Sequence, residues 1–150
     1  MENKNSFAHI TNKTITITDA EQILKNDEHG ATIHFIGVVR NHNEGKKVTG
    51  IDYDVCRPLA KNVLNKIIRE TQQKYPKVCI YIAHYEGYLN VGGISLLVST
   101  STPHRDDCYK ANRYIVEAIK HSCPVWKREH YVDGKIEWVK GCVVKHEYIS

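Results

Sequence analysis

The 150-residue chain has no apolar run approaching the roughly 18 residues that a membrane-spanning helix needs. Its first residues, Met1-Glu-Asn-Lys-Asn-Ser6, lack the apolar stretch of a secretory signal, so a cytoplasmic location is the expectation. Paired cysteines are missing as well. The five present (Cys56, Cys79, Cys108, Cys123 and Cys142) are odd in number and widely spread, and none forms a C-x-x-C pair. That argues against a disulfide framework or a zinc knuckle and for small buried or half-buried thiols in a reducing compartment. Nine histidines are many for this length, but none stands at H-x-H or H-x-x-x-H spacing, so no metal site is expected. Repeats, linkers and low-complexity segments are also absent. A strong charge of one sign is lacking: the formal net charge of +4 and pI near 8.7 give a mild attraction to anions, too weak to indicate nucleic acid.

What is present reads as one ordinary globular domain over residues 1–150. Hydrophobic residues make up 41% and charged residues 25%, enough to bury a single sizeable core. Thr14-Ile-Thr-Ile-Thr18 alternates strictly and predicts a short strand. Thr18-Asp-Ala-Glu21 matches a capping box and predicts a helix to about Lys25. Ala31 to Arg40 is β-rich, Asn41 to Gly45 is a turn, and Val48 to Val55 is a second strand with Ile51, Tyr53 and Val55 on one face. Pro58 opens an amphipathic helix carrying Leu59, Val63, Leu64, Ile67, Ile68 and Thr71 and ending before Pro76. Val78 to Tyr85 is a strand, Gly87 to Gly93 a turn and Ile94 to Thr100 another strand. A second long helix spans about Pro103 to His121, burying Ala111, Tyr114, Ile115, Ala118 and Ile119. Val125 to Val132 and Lys135 to Val139 flank Asp133-Gly134, a two-residue hairpin signal. The residues after Gly141 are either a tail or a docking strand. The order β-α-β-β-α-β-β-α-β-β predicts an α+β fold with two long helices packed on a mostly antiparallel sheet and a C-terminal hairpin.

Three basic motifs could carry chemistry. Lys120-His-Ser-Cys-Pro-Val-Trp-Lys-Arg-Glu129 sets Lys120 at a helix end and Lys127 just past a proline and a tryptophan. The framing suits two ammonium groups in one pocket, where each disfavours the other's charged form and moves it toward useful acid–base values. A basic helix end answering the negative pole of the dipole accounts for the same residues. Ser101-Thr-Pro-His-Arg-Asp-Asp107 leads a strand into the second long helix, whose free N–H groups attract anions. His104 and Arg105 are cations in a turn that disfavours them unless an anion binds there; Asp106 and Asp107 could equally neutralise that end. On the same helix Lys110, Arg113, Glu117 and Lys120 form one polar stripe, explained adequately by solvated ion pairs up to Glu117. Arg40, at the end of Gly37-Val-Val-Arg40, either forks onto a phosphate or caps the hairpin by pairing with Glu44.

In their order and spacing these blocks resemble the large, catalytic subunit of molybdopterin synthase. The resemblance covers about residues 30–139 and rests on Gly30-Ala-Thr-Ile-His-Phe-Ile-Gly-Val-Val-Arg-Asn-His-Asn43, on Ser101-Thr-Pro-His-Arg105, and most specifically on Lys120 through Pro124-Val-Trp-Lys-Arg-Glu129 to Asp133-Gly and Trp138-Val139. It implies an α+β fold with an α/β-hammerhead core and a homodimer within a heterotetramer. Each large subunit would bind a small ubiquitin-like carrier whose C-terminal Gly-Gly ends as a thiocarboxylate. Sulfur would pass from that tail to cyclic pyranopterin monophosphate, two transfers building the dithiolene of molybdopterin. Carried over by motif, Lys120 is the essential catalyst, Lys127 supports it, and Arg40, His104 and Arg105 grip the phosphate, some of them across the dimer interface. Phe35 and Trp126 are expected to pack and not to stack on a ligand. The resemblance calls for no metal or organic cofactor, no nucleic acid and no membrane.

Three places depart from the family pattern: Tyr85 follows His84 where arginine is usual, Gly93 stands where an acidic residue is usual, and Asp52-Tyr-Asp-Val-Cys-Arg-Pro58 lacks a second tyrosine and a methionine before the alanine. They bear on the shape of the carrier groove around Tyr85, Gly93 and Cys56. A rival from another class is a non-catalytic anion- or RNA-binding α+β module, against which aromatics fail to interleave with basic residues on one strand. A third reading is a family member that binds the carrier without turnover.

Overall fold

Ser95 to Thr102 are buried without a break, and so are Val78 to His84. Strands that read as continuous runs, with no alternation, are covered on both faces, and these two form the centre of the larger sheet. The computed structural model describes residues 6–139. In chain order they form β1 (Phe7–Thr11), α1 (Ile17–Leu24), β2 (Ala31–Val38), β3 (His42–Asn43), β4 (Lys46–Val55), α2 (Arg57–Lys74), β5 (Cys79–Tyr85), β6 (Gly87–Asn90), β7 (Ile94–Thr102), α3 (Arg105–Ser122), β8 (Val125–Tyr131) and β9 (Ile136–Trp138).

The first sheet has the order β1-β5-β7-β2. On one face Ile80, Ile82, Leu96 and Val98 meet Ala60, Leu64, Ile67 and Ile68 of α2 and Ala111, Ile115 and Ile119 of α3. On the other, Cys79, Tyr81, Ala83 and Leu97 meet Ala20 and Leu24 of α1. Leu64, Ile80, Ile82, Leu97 and Ile115 are wholly enclosed, each contributing about 1.5–3 kcal/mol by leaving water. A second sheet runs β3-β4-β8-β9, with β6 on the free stretch of β4. Its small core is Val39, Val48, Ile51 and Tyr53. The two sheets meet along a cleft, and α3 ends at it.

The α+β class holds, and among the described strand pairs β1 with β5 alone is parallel. Both long helices stand where the apolar spacing put them. No helix among the described residues is long and apolar enough to cross a membrane. Several local expectations are corrected. Thr14–Thr18 is no strand: Thr16 is the N-cap of α1, its Oγ1 accepting the Asp19 N–H at 3.4 Å, and Ile15 is buried beneath the helix start. The alternation came from a cap and an anchor, and the first strand is Phe7–Thr11. Gly87–Gly93 is not all turn, because Gly87–Asn90 pairs with Gly50–Tyr53 of β4. The Asp133-Gly134 hairpin is longer than two residues. Gly134 donates to the Tyr131 carbonyl at 3.0 Å with φ +87°, a tight turn followed by a left-handed glycine. The residues after Gly141 lie outside those described.

Candidate active site

A helix of 18 residues is about 27 Å long, and α3 spends that length carrying the chain from the first sheet to the cleft. Its last turn holds Lys120 and His121, where cations answer the negative pole of the dipole. The Cys123 N–H closes the helix onto the Ile119 carbonyl at 3.0 Å, Pro124 prevents another turn, and β8 starts at Val125. Along β8 Val125, Lys127 and Glu129 share one face, opposite Val55, Tyr53 and Ile51 of β4. Trp126 points to the other side, half-buried, and Phe35 packs on the main core.

The result is a cavity of about 280 Å³ between the sheets. Gly37, Val38, Arg40 and Ser95 come from the first sheet and its exit; Ile51, Tyr53, Lys127 and Glu129 come from the second; Lys120 comes from α3. His42, Asn43 and Val139 complete the rim. Lys120 and Lys127, predicted from one motif, and Arg40, predicted from another, are therefore brought to one place. Arg40 is exposed, and no ion pair among the described residues joins it to Glu44. Three cations face one carboxylate across the cavity, a net attraction for anions.

Buried groups below the cations report the same convergence. Tyr53 is buried, and the Lys127 ammonium stands 5.9 Å from its ring centre. Burial pushes the Tyr53 phenol up, against a hydrogen bond with Ser95 and with the help of the Glu129 charge. Beneath it, the His84 ring meets Tyr53 edge-to-face at 5.8 Å. His84 is pushed down to about 4, first by burial, and further by Lys120 and Lys127, while its bond to the Tyr85 carbonyl opposes the shift. One imidazole thus feels both ammonium groups. Glu129 is 4% exposed; its Oε1 accepts from Asn43 Nδ2 at 2.7 Å and from the Tyr131 hydroxyl at 3.4 Å. Tyr53, His84, Ser95 and Glu129 were missed by the sequence reading. Only Glu129 left a signal, standing two residues from Lys127 on a strand and so on its face.

His104 and Arg105 are not at this cleft. His104 is the N-cap of α3, without a side-chain cap bond, and both side chains are exposed. Fifteen residues of helix rise separate Arg105 from Lys120 by about 22 Å, so a single chain does not bring the two basic motifs together. At that end Asp106 is committed to Lys110 at 2.9 Å. Among the described residues no group of three or more His, Cys, Asp or Glu side chains is placed to hold a metal ion.

A family model described as MoaE protein matches residues 10–122. The chain belongs to the MoaE protein family. It is 39% identical over 128 residues to the molybdopterin synthase catalytic subunit of Synechococcus elongatus, covering 85% of this chain and 78% of that one. To the protein of the same name from Bacillus subtilis it is 35% identical over 129 residues, 84% and 82% of the two chains. The crystal structure of molybdopterin synthase from Staphylococcus aureus superposes with a TM-score of 0.83 at 32% identity, over 93% of this chain and 99% of that one. A complex of subunits 1 and 2 of the molybdopterin-converting factor from Helicobacter pylori shares the fold, with a TM-score of 0.75 at 21% identity. The MoaE match includes Arg40, His104, Arg105 and Lys120 and stops at Ser122, so Lys127 and Glu129 enter the site from beyond it.

Proposed function

We propose that this chain is the catalytic subunit of a molybdopterin synthase, transferring sulfur from the C-terminal thiocarboxylate of a small ubiquitin-like carrier to cyclic pyranopterin monophosphate. The observation that carries the reading is the convergence of Lys120 and Lys127, from a helix end and a strand, in one cleft with Arg40 at its rim. Donor and acceptor are both anions. Two unit charges roughly 5 Å apart at an effective dielectric of about 20 repel by about 3 kcal/mol, and fixed ammonium groups remove that barrier without reorganising during the reaction.

Lys120 is the catalyst, following charge as sulfur attacks and supplying or accepting a proton at the reacting oxygen. Lys127, held over Tyr53, supports it and holds the pterin or the carrier tail. Arg40 forks onto the phosphate. His104 and Arg105 reach the phosphate from a second copy of the chain, since their own helix carries them away from their own Lys120. The working unit is then a homodimer with one carrier per chain, a heterotetramer in the cytoplasm, each chain acting as one domain. In each transfer the thiocarboxylate sulfur attacks a carbon of the pterin side chain as its carbon–oxygen bond breaks. Water then hydrolyses the acyl–sulfur bond, leaving the sulfur on the pterin and the carrier as a carboxylate. The reading calls for no metal or organic cofactor, since the carrier brings the sulfur and water releases it.

The test is reconstitution. The purified chain, a thiocarboxylated carrier and cyclic pyranopterin monophosphate should yield dithiolene product. No product with a carrier that demonstrably binds would refute catalysis and favour a carrier-binding member without turnover. RNA binding with a steep salt dependence would favour the nucleic-acid module.

A further inference from the structure

His84 continues the row Ile80, Ile82 on the helix-facing side of β5, yet it is a polar residue enclosed where the first sheet meets the second. Its Nδ1 lies 2.9 Å from the Tyr85 carbonyl oxygen. A carbonyl only accepts, so Nδ1 carries the proton and the tautomer is fixed. The clamped ring meets the Tyr53 ring edge-to-face at 5.8 Å and 71°. Tyr53 belongs to the other sheet, lines the cleft, and sits directly across from Lys127 in the β4–β8 register. The contacts therefore form one column: a backbone carbonyl, an imidazole, a phenol ring, an ammonium group.

We propose that His84 is a positioning residue of this site, its clamped ring fixing the Tyr53 ring that carries the Lys127 ammonium over the cleft floor. The inference rests on the sulfur-transfer reading and deepens it. An aliphatic side chain would fill the same volume but present no ring edge to Tyr53; the bond to the Tyr85 carbonyl adds to the hold on the ring that packing already gives. A lysine or arginine there would set a third cation under Lys120 and Lys127. Burial keeps the imidazole uncharged near neutrality, so it braces the two ammonium groups without repelling them. His84 touches neither reacting anion; it acts through Tyr53.

The experiment compares steady-state kinetics of wild type, His84→Phe, His84→Leu and Lys127→Ala in the reconstituted system, with the His84→Leu/Lys127→Ala double variant. Phenylalanine keeps a ring edge for Tyr53, whereas leucine fills the space without one and guards against a cavity that would unfold the chain. We expect His84→Leu to lower kcat by about tenfold or more with KM for both substrates within about twofold, a misplacement effect. His84→Phe should stay within about threefold of wild type. If His84 acts through Lys127, His84→Leu on the Lys127→Ala background should lower kcat no further. Full kcat in His84→Leu, an equal loss in His84→Phe, or losses that multiply in the double variant would each overturn the inference. A wild type that makes no product refutes the sulfur-transfer reading instead, and is distinguished by that.

Discussion

Gly50→Ala should cost far more than its size suggests. Gly50 lies where β4 is flanked on both edges, opposite Asn90 of β6 and His130 of β8, next to an irregularity between Val48 and Gly50. A methyl group there would collide with the Tyr88 hydroxyl and ring and would stand 2.6 Å from the Leu89 carbonyl oxygen, well inside the 3.4 Å at which ordinary contact begins. Tyr88 is exposed and can swing away. The Leu89 carbonyl is backbone, and it moves only by drawing β6 off β4. Overpacking costs about 1–3 kcal/mol, and a backbone obstacle puts this case near the top. For a chain of this size that is roughly 6–12 °C in melting temperature. Gly45→Ala is the control: its φ is +80° but nothing lies within 4 Å of the added carbon, so it bears only the left-handed penalty of about 1–2 kcal/mol. Because β4 also carries Ile51 and Tyr53 into the cleft, Gly50→Ala should lower turnover while Gly45→Ala, at a hairpin tip, should not. Thermal denaturation followed by circular dichroism reads the first difference and the reconstituted assay the second. A Gly50→Ala protein as stable as wild type, or more stable than Gly45→Ala, would refute the reasoning.

Three further outcomes follow from buried groups. His84, with an unfolded value of 6.5 and a folded value of about 4, makes the unfolded chain the better proton binder between those pH values. Stability is therefore complete above pH 6.5 and declines by roughly 3 kcal/mol as pH falls to 4; urea denaturation across that range should show the slope, and His84→Phe should flatten it. Glu129→Gln exchanges the charge-assisted bond from Asn43 for a neutral one and should cost about 1 kcal/mol, against about 2–3 for Glu129→Ala, which leaves the amide without its acceptor; equal stability of all three would contradict this. Among the described cysteines Cys56 is exposed, while Cys79, Cys108 and Cys123 are buried and burial pushes the Cys123 thiol up to about 12. A thiol reagent at pH 8 followed by peptide mapping should label Cys56 and spare Cys123 until the chain is unfolded.

Much of the fold was legible because helical spacing is a long signal. Leu64, Ile67, Ile68 and Thr71 on α2, and Ala111, Ile115 and Ile119 on α3, are buried as their periodicity predicts. Short signals failed where tertiary context outweighed local pattern. The Thr14–Thr18 alternation looks the same whether its isoleucines face a sheet or one tucks under a helix start. Gly87–Asn90 is glycine-flanked and polar at its end, and only the open edge of β4 makes it a strand. At the site, Lys120, Lys127 and Arg40 were named from motifs and do share a cleft. Tyr53 and Ser95, which line it, and His84, which packs beneath Tyr53, were not, because the three come from different strands and no local spacing records their approach. His104 and Arg105 mark the opposite limit: a sequence places two basic motifs on one helix, but not on one side of one molecule.

The most direct measurement is single-turnover sulfur transfer by wild type and Lys120→Ala, with saturating thiocarboxylated carrier and cyclic pyranopterin monophosphate and carrier binding measured in parallel. Removing one preorganised charge at the reacting centre is worth about 100- to 1,000-fold. We predict dithiolene formation by wild type and a loss of that size in Lys120→Ala, with carrier affinity unchanged within about threefold. Dithiolene formed by Lys120→Ala at close to the wild-type rate would contradict the account, since the cleft would then hold anions without its principal lysine doing the chemistry.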